Sequence, residues 1–215
     1  SGDMACFPGQ TTTDNPRLLI ATCYLPFPLS HGGAVRMYNL MREAAKDYSL
    51  ILLSFVDDFI TPAPELASLC AEIIEVKREG THYRRSTPDP KAVDDFKSPS
   101  FEAAIQWVNR KWQPQIAQLE FTQMAQYAQA ARPAKTILVE HDITLDLYAQ
   151  LLKEKDDFDL RLELDKWNRF ERDAWRAVDC VAVMSDKDKA TVQPAGRVEV
   201  IENGVDLDRF NPFSP

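Results

Sequence analysis

Arg17-Leu18-Leu19-Ile20-Ala21-Thr22-Cys23-Tyr24-Leu25-Pro26-Phe27-Pro28-Leu29-Ser30-His31-Gly32-Gly33 runs from an apolar strand, through a proline-bearing loop, to the start of a helix. Residues 17–22 are almost continuously apolar, as a strand buried on both faces of a sheet should be. Met37, Leu40, Met41 and Ala44 then recur at the spacing of one helical face. Strand, loop and helix in that order form the first half of a βαβ unit, which predicts a parallel sheet.

The same alternation continues outward from this segment. Apolar runs at 49–56, 72–76, 115–121, 135–140, 180–184 and 198–201 read as further strands, with helical stretches between them. The expected fold is therefore α/β: a three-layer, doubly wound, mostly parallel sheet, one Rossmann-like domain over residues 16–201. Residues 1–15 lack hydrophobic periodicity and read as a tail, with Ser1-Gly2-Asp3 resembling a tag remnant. Residues 77–100, with Lys77, Arg78, His82, Arg84 and Arg85, read as a long polar loop. The stretch from Leu145 to Val178 is helical, with a break expected near Asp156-Asp157. On its second helix Leu160, Leu164, Trp167, Ala174, Trp175 and Val178 share a face, and Glu171 falls in the middle of it. A carboxylate among tryptophans and leucines must find hydrogen-bond partners or an Arg, or take up a proton.

A chain of 215 residues with 45% apolar content can bury a large single core. The net charge of −8 excludes a general nucleic-acid footprint. No apolar run is long enough to span a bilayer, so membrane contact is at most peripheral. Cys6, Cys23, Cys70 and Cys180 are scattered and read as reduced, mostly buried thiols, not as a disulfide or zinc framework.

Doubly wound sheets bind ligands at the carboxyl ends of their strands. That rule selects the candidate site. Gly32 and Gly33 precede a helix whose start offers free N–H donors and a positive dipole end, suited to phosphate or sugar oxygens. Arg36, in the first turn, opposes the dipole, and a bound anion would offset that conflict. His141 follows the fifth strand, where it is either a hydrogen-bonded loop residue or an acid–base group. Glu120 and Asp142 stand at neighbouring strand ends, as ligand acceptors or as loop caps. Ser185, three residues before Asp188, reads as a helix N-cap. No metal site is implied.

Several segments in order resemble the retaining GT-B glycosyltransferases of family 4 (group 1). They are the Gly32-Gly33 loop followed by Leu40, Leu119-Glu120-Phe121-Thr122-Gln123-Met124, Leu138-Val139-Glu140-His141-Asp142 and Asp179-Cys180-Val181-Ala182-Val183-Met184-Ser185. Asn203-Gly204-Val205-Asp206, with Arg209, Phe210 and Pro212, closes the series. The resemblance implies the N-terminal, acceptor-side domain of an enzyme moving sugar from a nucleotide-diphosphate sugar to a hydroxyl acceptor, carbohydrate or lipid-linked. It implies metal-independent transfer with retention and no cofactor, in the cytoplasm or at the inner membrane face. Residues 202–215 would begin the crossover to a nucleotide-sugar domain that holds most donor contacts, so this chain alone would be inactive. Gly32, Gly33 and Arg36 would face phosphates or sugar, His141 the reacting sugar, and Glu120 and Asp142 the acceptor hydroxyls. The basic loop would be solvated or would meet an anionic acceptor. Two other readings stand beside this one. A nicotinamide-binding α/β oxidoreductase domain could use Asp57 and Asp58 on a ribose but lacks the glycine fingerprint. A non-catalytic binding or scaffold domain is the other.

Overall fold

The computed structural model describes residues 3–29, 32–79, 86–192 and 197–201. Its strands are β1 (Met4–Pro8), β2 (Arg17–Thr22), β3 (Ser49–Val56), β4 (Cys70–Lys77), β5 (Ile116–Glu120), β6 (Lys135–Val139), β7 (Cys180–Val183) and β8 (Arg197–Val200). They form a single eight-stranded sheet in the order β1-β4-β3-β2-β5-β6-β7-β8. Every pairing is parallel except that of β1 with β4.

Helices cover both faces because the inner strands are apolar on both. On one face α1 (Gly32–Ala44) and α2 (Pro64–Ala67) pack Leu40, Met41, Ala44 and Leu66 against Leu18, Ile20, Leu50 and Leu52. On the other, α4 (Pro99–Trp112) and α6 (Phe158–Ala177) pack Phe101, Ile105, Val108 and Trp175 against Leu19, Ile51, Leu53 and Leu119. Phe101 stacks on Phe55 of β3 with ring centroids 4.1 Å apart, locking α4 in place. Shorter elements complete the chain: α3 (Lys91–Asp95), a 3₁₀ turn (Thr122–Tyr127), α5 (Thr144–Glu154) and α7 (Asp186–Thr191).

Local chemistry sets the helix ends. The Ser98 hydroxyl accepts from the Phe101 N–H, and Pro99 opens α4. Asp157 accepts from the N–H groups of Asp159 and Leu160, so the break expected near Asp156-Asp157 becomes the cap of α6. Ser185 accepts from the Asp188 N–H, as its spacing implies.

Two expectations need correction. Within residues 1–15, expected as a tail, Met4–Pro8 forms β1 and extends the sheet beyond the six or seven strands anticipated. An edge strand needs backbone hydrogen bonds more than side-chain burial, so five residues of mixed character carry no periodic signal. Gly9 follows β1 and donates its N–H to the Ala71 carbonyl at 2.9 Å. A Cβ there would lie 1.8 Å from the Cys70 carbonyl oxygen, so the close approach requires glycine. Within the loop expected at 77–100, α3 and the start of α4 are helical. The expected crossover at 202–215, and His82, Arg84 and Arg85, lie outside the described residues.

Candidate functional site at the carboxyl edge

The sheet's winding reverses between β2 and β5. From β2 the chain builds outward through β3 and β4, then returns to lay β5 on the opposite side of β2. In doubly wound sheets such a reversal is where ligands bind, beyond the carboxyl ends of the strands. Gly32 and Gly33 follow β2, Glu120 ends β5 and His141 follows β6, so the expected residues gather at this edge.

The glycine pair forms the first two residues of α1. Gly32 is exposed, and a Cβ built on it meets nothing within 4 Å. Packing among the described residues therefore does not require its lack of a side chain. The first turn of α1 carries no acidic residue, so the positive end of its dipole is uncompensated. Arg36, one turn further along α1, donates Nη1 to the His141 carbonyl at 3.3 Å, tying α1 to the end of β6.

Strand alternation explains what surrounds His141. Along β6, Ile137 and Val139 face α1, while Leu138 faces α6. Glu140 continues the α6 side and His141 the α1 side. His141 is buried, and its Nε2 lies 2.7 Å from Glu120 Oε2. The Glu120 carboxylate is wholly enclosed and also accepts from the Gln118 amide. Phe121 stacks on the imidazole with centroids 4.3 Å apart, and Tyr24 packs against Phe121 at 5.2 Å. Phe121 takes φ of 79°, a left-handed conformation costly for a bulky residue. Asp142 is exposed at the same strand end. Sequence reasoning singled out Glu120 but missed Gln118 and Phe121. A polar Gln118 two residues before Glu120, inside an otherwise buried strand, was the available signal.

On the other face, Glu171 is fully buried, as its place on the helix predicts. Its Oε2 accepts from the Thr122 hydroxyl at 3.3 Å and the Thr144 N–H at 3.2 Å. Unforeseen was its neighbour Glu140, also fully buried, whose Oε1 accepts from Trp175 Nε1 at 3.2 Å. Burial first, and then the Glu171 charge, push the Glu140 carboxyl well above the usual carboxylate range. Among the described residues no hydrogen-bond partner meets Glu140 Oε2, and the Glu171 carboxyl lies close enough to raise the Glu140 pKa.

A raised folded-state pKa makes stability greatest at low pH and loses it as pH rises through the range between the unfolded and folded values. Glu140→Gln keeps an acceptor for Trp175 and donates its amide to Glu171 without a proton. We expect it to stabilise the fold by on the order of 1 kcal/mol near neutral pH, with the gain vanishing below about pH 4.5. Urea midpoints across pH 4–8 check this, and a gain that grows toward acid would contradict it.

Other features stand apart from this edge. A cleft of about 400 Å³ is lined by Glu102, Gln106, Asn109, Gln126, Gln129, Ala130 and Arg132, none of them an expected site residue. Among the described residues no group of three His, Cys, Asp or Glu side chains could hold a metal ion. Burial keeps the Cys23 thiol protonated at the end of β2, where the Gln123 amide meets its sulfur at 3.3 Å.

A family model described as Glycosyltransferase Family 4 matches residues 30–209. Comparison with curated protein sequences finds no match. Among solved structures, sucrose-phosphate synthase from Thermosynechococcus elongatus superposes with a TM-score of 0.57 at 16% identity, over 89% of this chain and 49% of that one. UGT2 of Phytolacca americana gives 0.55 at 11% identity, over 90% of this chain and 57% of that one. A UDP-glucosyltransferase from Polygonum tinctorium gives 0.53 at 9%, over 89% and 52%. At these identities the likeness carries the fold alone, and the chain spans about half the length of these structures. The family match covers most of the chain, and the protein therefore belongs to Glycosyltransferase Family 4, with the Rossmann-like fold of an N-terminal GT-B domain.

Proposed function

We propose that this chain is the acceptor-side half of a retaining, metal-independent hexosyltransferase acting on a nucleotide-diphosphate sugar and a carbohydrate or lipid-linked hydroxyl acceptor. The observation that carries the reading is the meeting of the open glycine start of α1, Arg36 and His141 at one strand edge. The N–H groups at Gly32 and Gly33 and the Arg36 guanidinium provide positive potential for a diphosphate or a sugar oxygen. Such groups act by stabilising the negative charge that grows on the leaving diphosphate. His141 positions the reacting sugar, and Asp142 accepts from an acceptor hydroxyl. Retention rests on the family pattern.

The reaction belongs in the cytoplasm or at its membrane face. No helix among the described residues is long and apolar enough to cross a membrane. The cysteines are all free, with Cys6 exposed and the others buried, which fits a reducing compartment.

Most donor contacts would come from a second, nucleotide-sugar domain. The 215-residue chain alone should therefore bind UDP-, GDP- and ADP-sugars only at millimolar strength or weaker, and transfer none. In a longer enzyme that joins it to such a domain, His141→Ala should lower turnover more than about tenfold. Calorimetry of the chain and turnover of the longer enzyme test both points. Micromolar donor binding by the chain alone would put the donor site in this half and overturn its assignment to the second domain.

A further inference from the structure

We propose that Glu120 is a positioning residue for His141, holding a proton on Nε2 and leaving Nδ1 as the ring atom that hydrogen-bonds a sugar hydroxyl. This rests on the reading of His141 as the residue that faces the sugar, and it moves Glu120 from the acceptor site to the support behind it.

The geometry constrains the imidazole from several sides. Glu120 is fully buried, and both of its oxygens are already engaged within the chain, which leaves it no free acceptor for a substrate hydroxyl. Its Oε1 is taken by the Gln118 amide and its Oε2 stands 2.7 Å from His141 Nε2. An ionised carboxylate only accepts, so the proton of that bond sits on Nε2. Phe121 covers one face of the ring at 4.3 Å. It does so from a backbone conformation at φ 79°, ψ 147°, which is strained for a non-glycine residue. Such strain persists only where surrounding contacts over-determine it, and here they are the imidazole, Tyr24 and the Phe121 N–H bond to the Val139 carbonyl. Arg36 fixes the backbone of the same residue through its carbonyl.

One ring atom stays unused. His141 Nδ1 is buried and finds no hydrogen-bond partner among the described residues. Buried polar atoms are nearly always paired, so an orphan of this kind calls for a partner that arrives from outside the chain. A sugar hydroxyl, donor and acceptor at once, meets Nδ1 in either protonation state. The ring would then carry its orienting bond on one nitrogen and its ligand bond on the other, the arrangement by which a second group sets the role of a histidine.

The test needs neither substrate nor a second domain. In the nitrogen-15-labelled 215-residue chain there are only three histidines, so the His141 ring is readily assigned by substitution. The expected spectrum shows a proton on Nε2 that is sheltered from exchange with water. Glu120→Gln, which still accepts through its amide oxygen, should keep that proton sheltered. Glu120→Leu should speed its exchange at least about tenfold, as loss of the acceptor frees the ring. A wild-type ring with no proton on Nε2, or equal shelter in Glu120→Leu, would overturn the inference. Should Glu120→Leu fail to fold, the wild-type ring alone decides, through the presence or absence of that proton. Full transfer by His141→Ala in the longer enzyme would instead remove the sugar-facing role of His141 and leave the Glu120 result standing.

Discussion

Glu171→Ala should cost the fold about 3–5 kcal/mol, the largest loss expected from a single polar substitution in this chain. The carboxyl is fully buried and serves three elements at once. It accepts from Thr122 in the 3₁₀ turn after β5, and from the N–H of Thr144, where α5 begins. It also faces Glu140 at the end of β6, whose carboxyl its charge pushes up. Removing it takes the acceptor from the Thr144 amide and from the Thr122 hydroxyl, and adds a cavity beside Trp175. Glu171→Gln keeps the volume and one acceptor, and should cost only about 1 kcal/mol. Urea denaturation followed by tryptophan fluorescence separates the two variants. Equal and small losses for both would show that the carboxyl is a passenger on α6.

The second large effect is expected at Gly9. Alanine there places Cβ 1.8 Å from the Cys70 carbonyl oxygen, a distance no backbone tolerates. The strand must lift away, giving up the Gly9 bond to Ala71 and the pairing of Met4–Pro8 with β4. A loss of about 3 kcal/mol follows, because overpacking against a main chain cannot relax through a rotamer change. Amide exchange tells detachment from general weakening. Residues 4–8 should lose protection in Gly9→Ala while β2 and β3 keep theirs. Unchanged protection at 4–8 would mean that β1 adjusts without leaving.

How much of this was legible depended on how far each signal reached along the chain. The inner strands were legible because burial on both faces makes them continuously apolar, as in Leu18-Leu19-Ile20-Ala21. Glu171 was legible as buried because its own helix places it between Trp167 and Trp175. Its pairing with Glu140 was not, since that contact joins a strand end to a helix 31 positions further on and no local pattern encodes it. Glu120 was legible as a strand-end carboxylate, but its direction was not. Whether such a group looks outward into the crevice or inward to a neighbour depends on the next strand, and here β6 brings His141 against it. The positive φ of Phe121 escaped entirely, because phenylalanine carries no propensity for it. The edge strand β1 escaped for the opposite reason, as its contribution is almost wholly backbone.

The two carboxyls that meet between β6 and α6 also fix how the chain exchanges matter with its solvent. The unfolded chain carries Glu140 and Glu171 as ordinary carboxyls, whereas burial and the Glu171 charge raise the Glu140 pKa in the native state. At pH values between the unfolded and the raised native pKa of Glu140, folding is thus a reaction that consumes hydrogen ions. A weakly buffered sample would drift alkaline as it refolds. The heat of folding would include the heat of drawing that proton from the buffer, so solutions at one pH but with different buffers would return different enthalpies for the same structure.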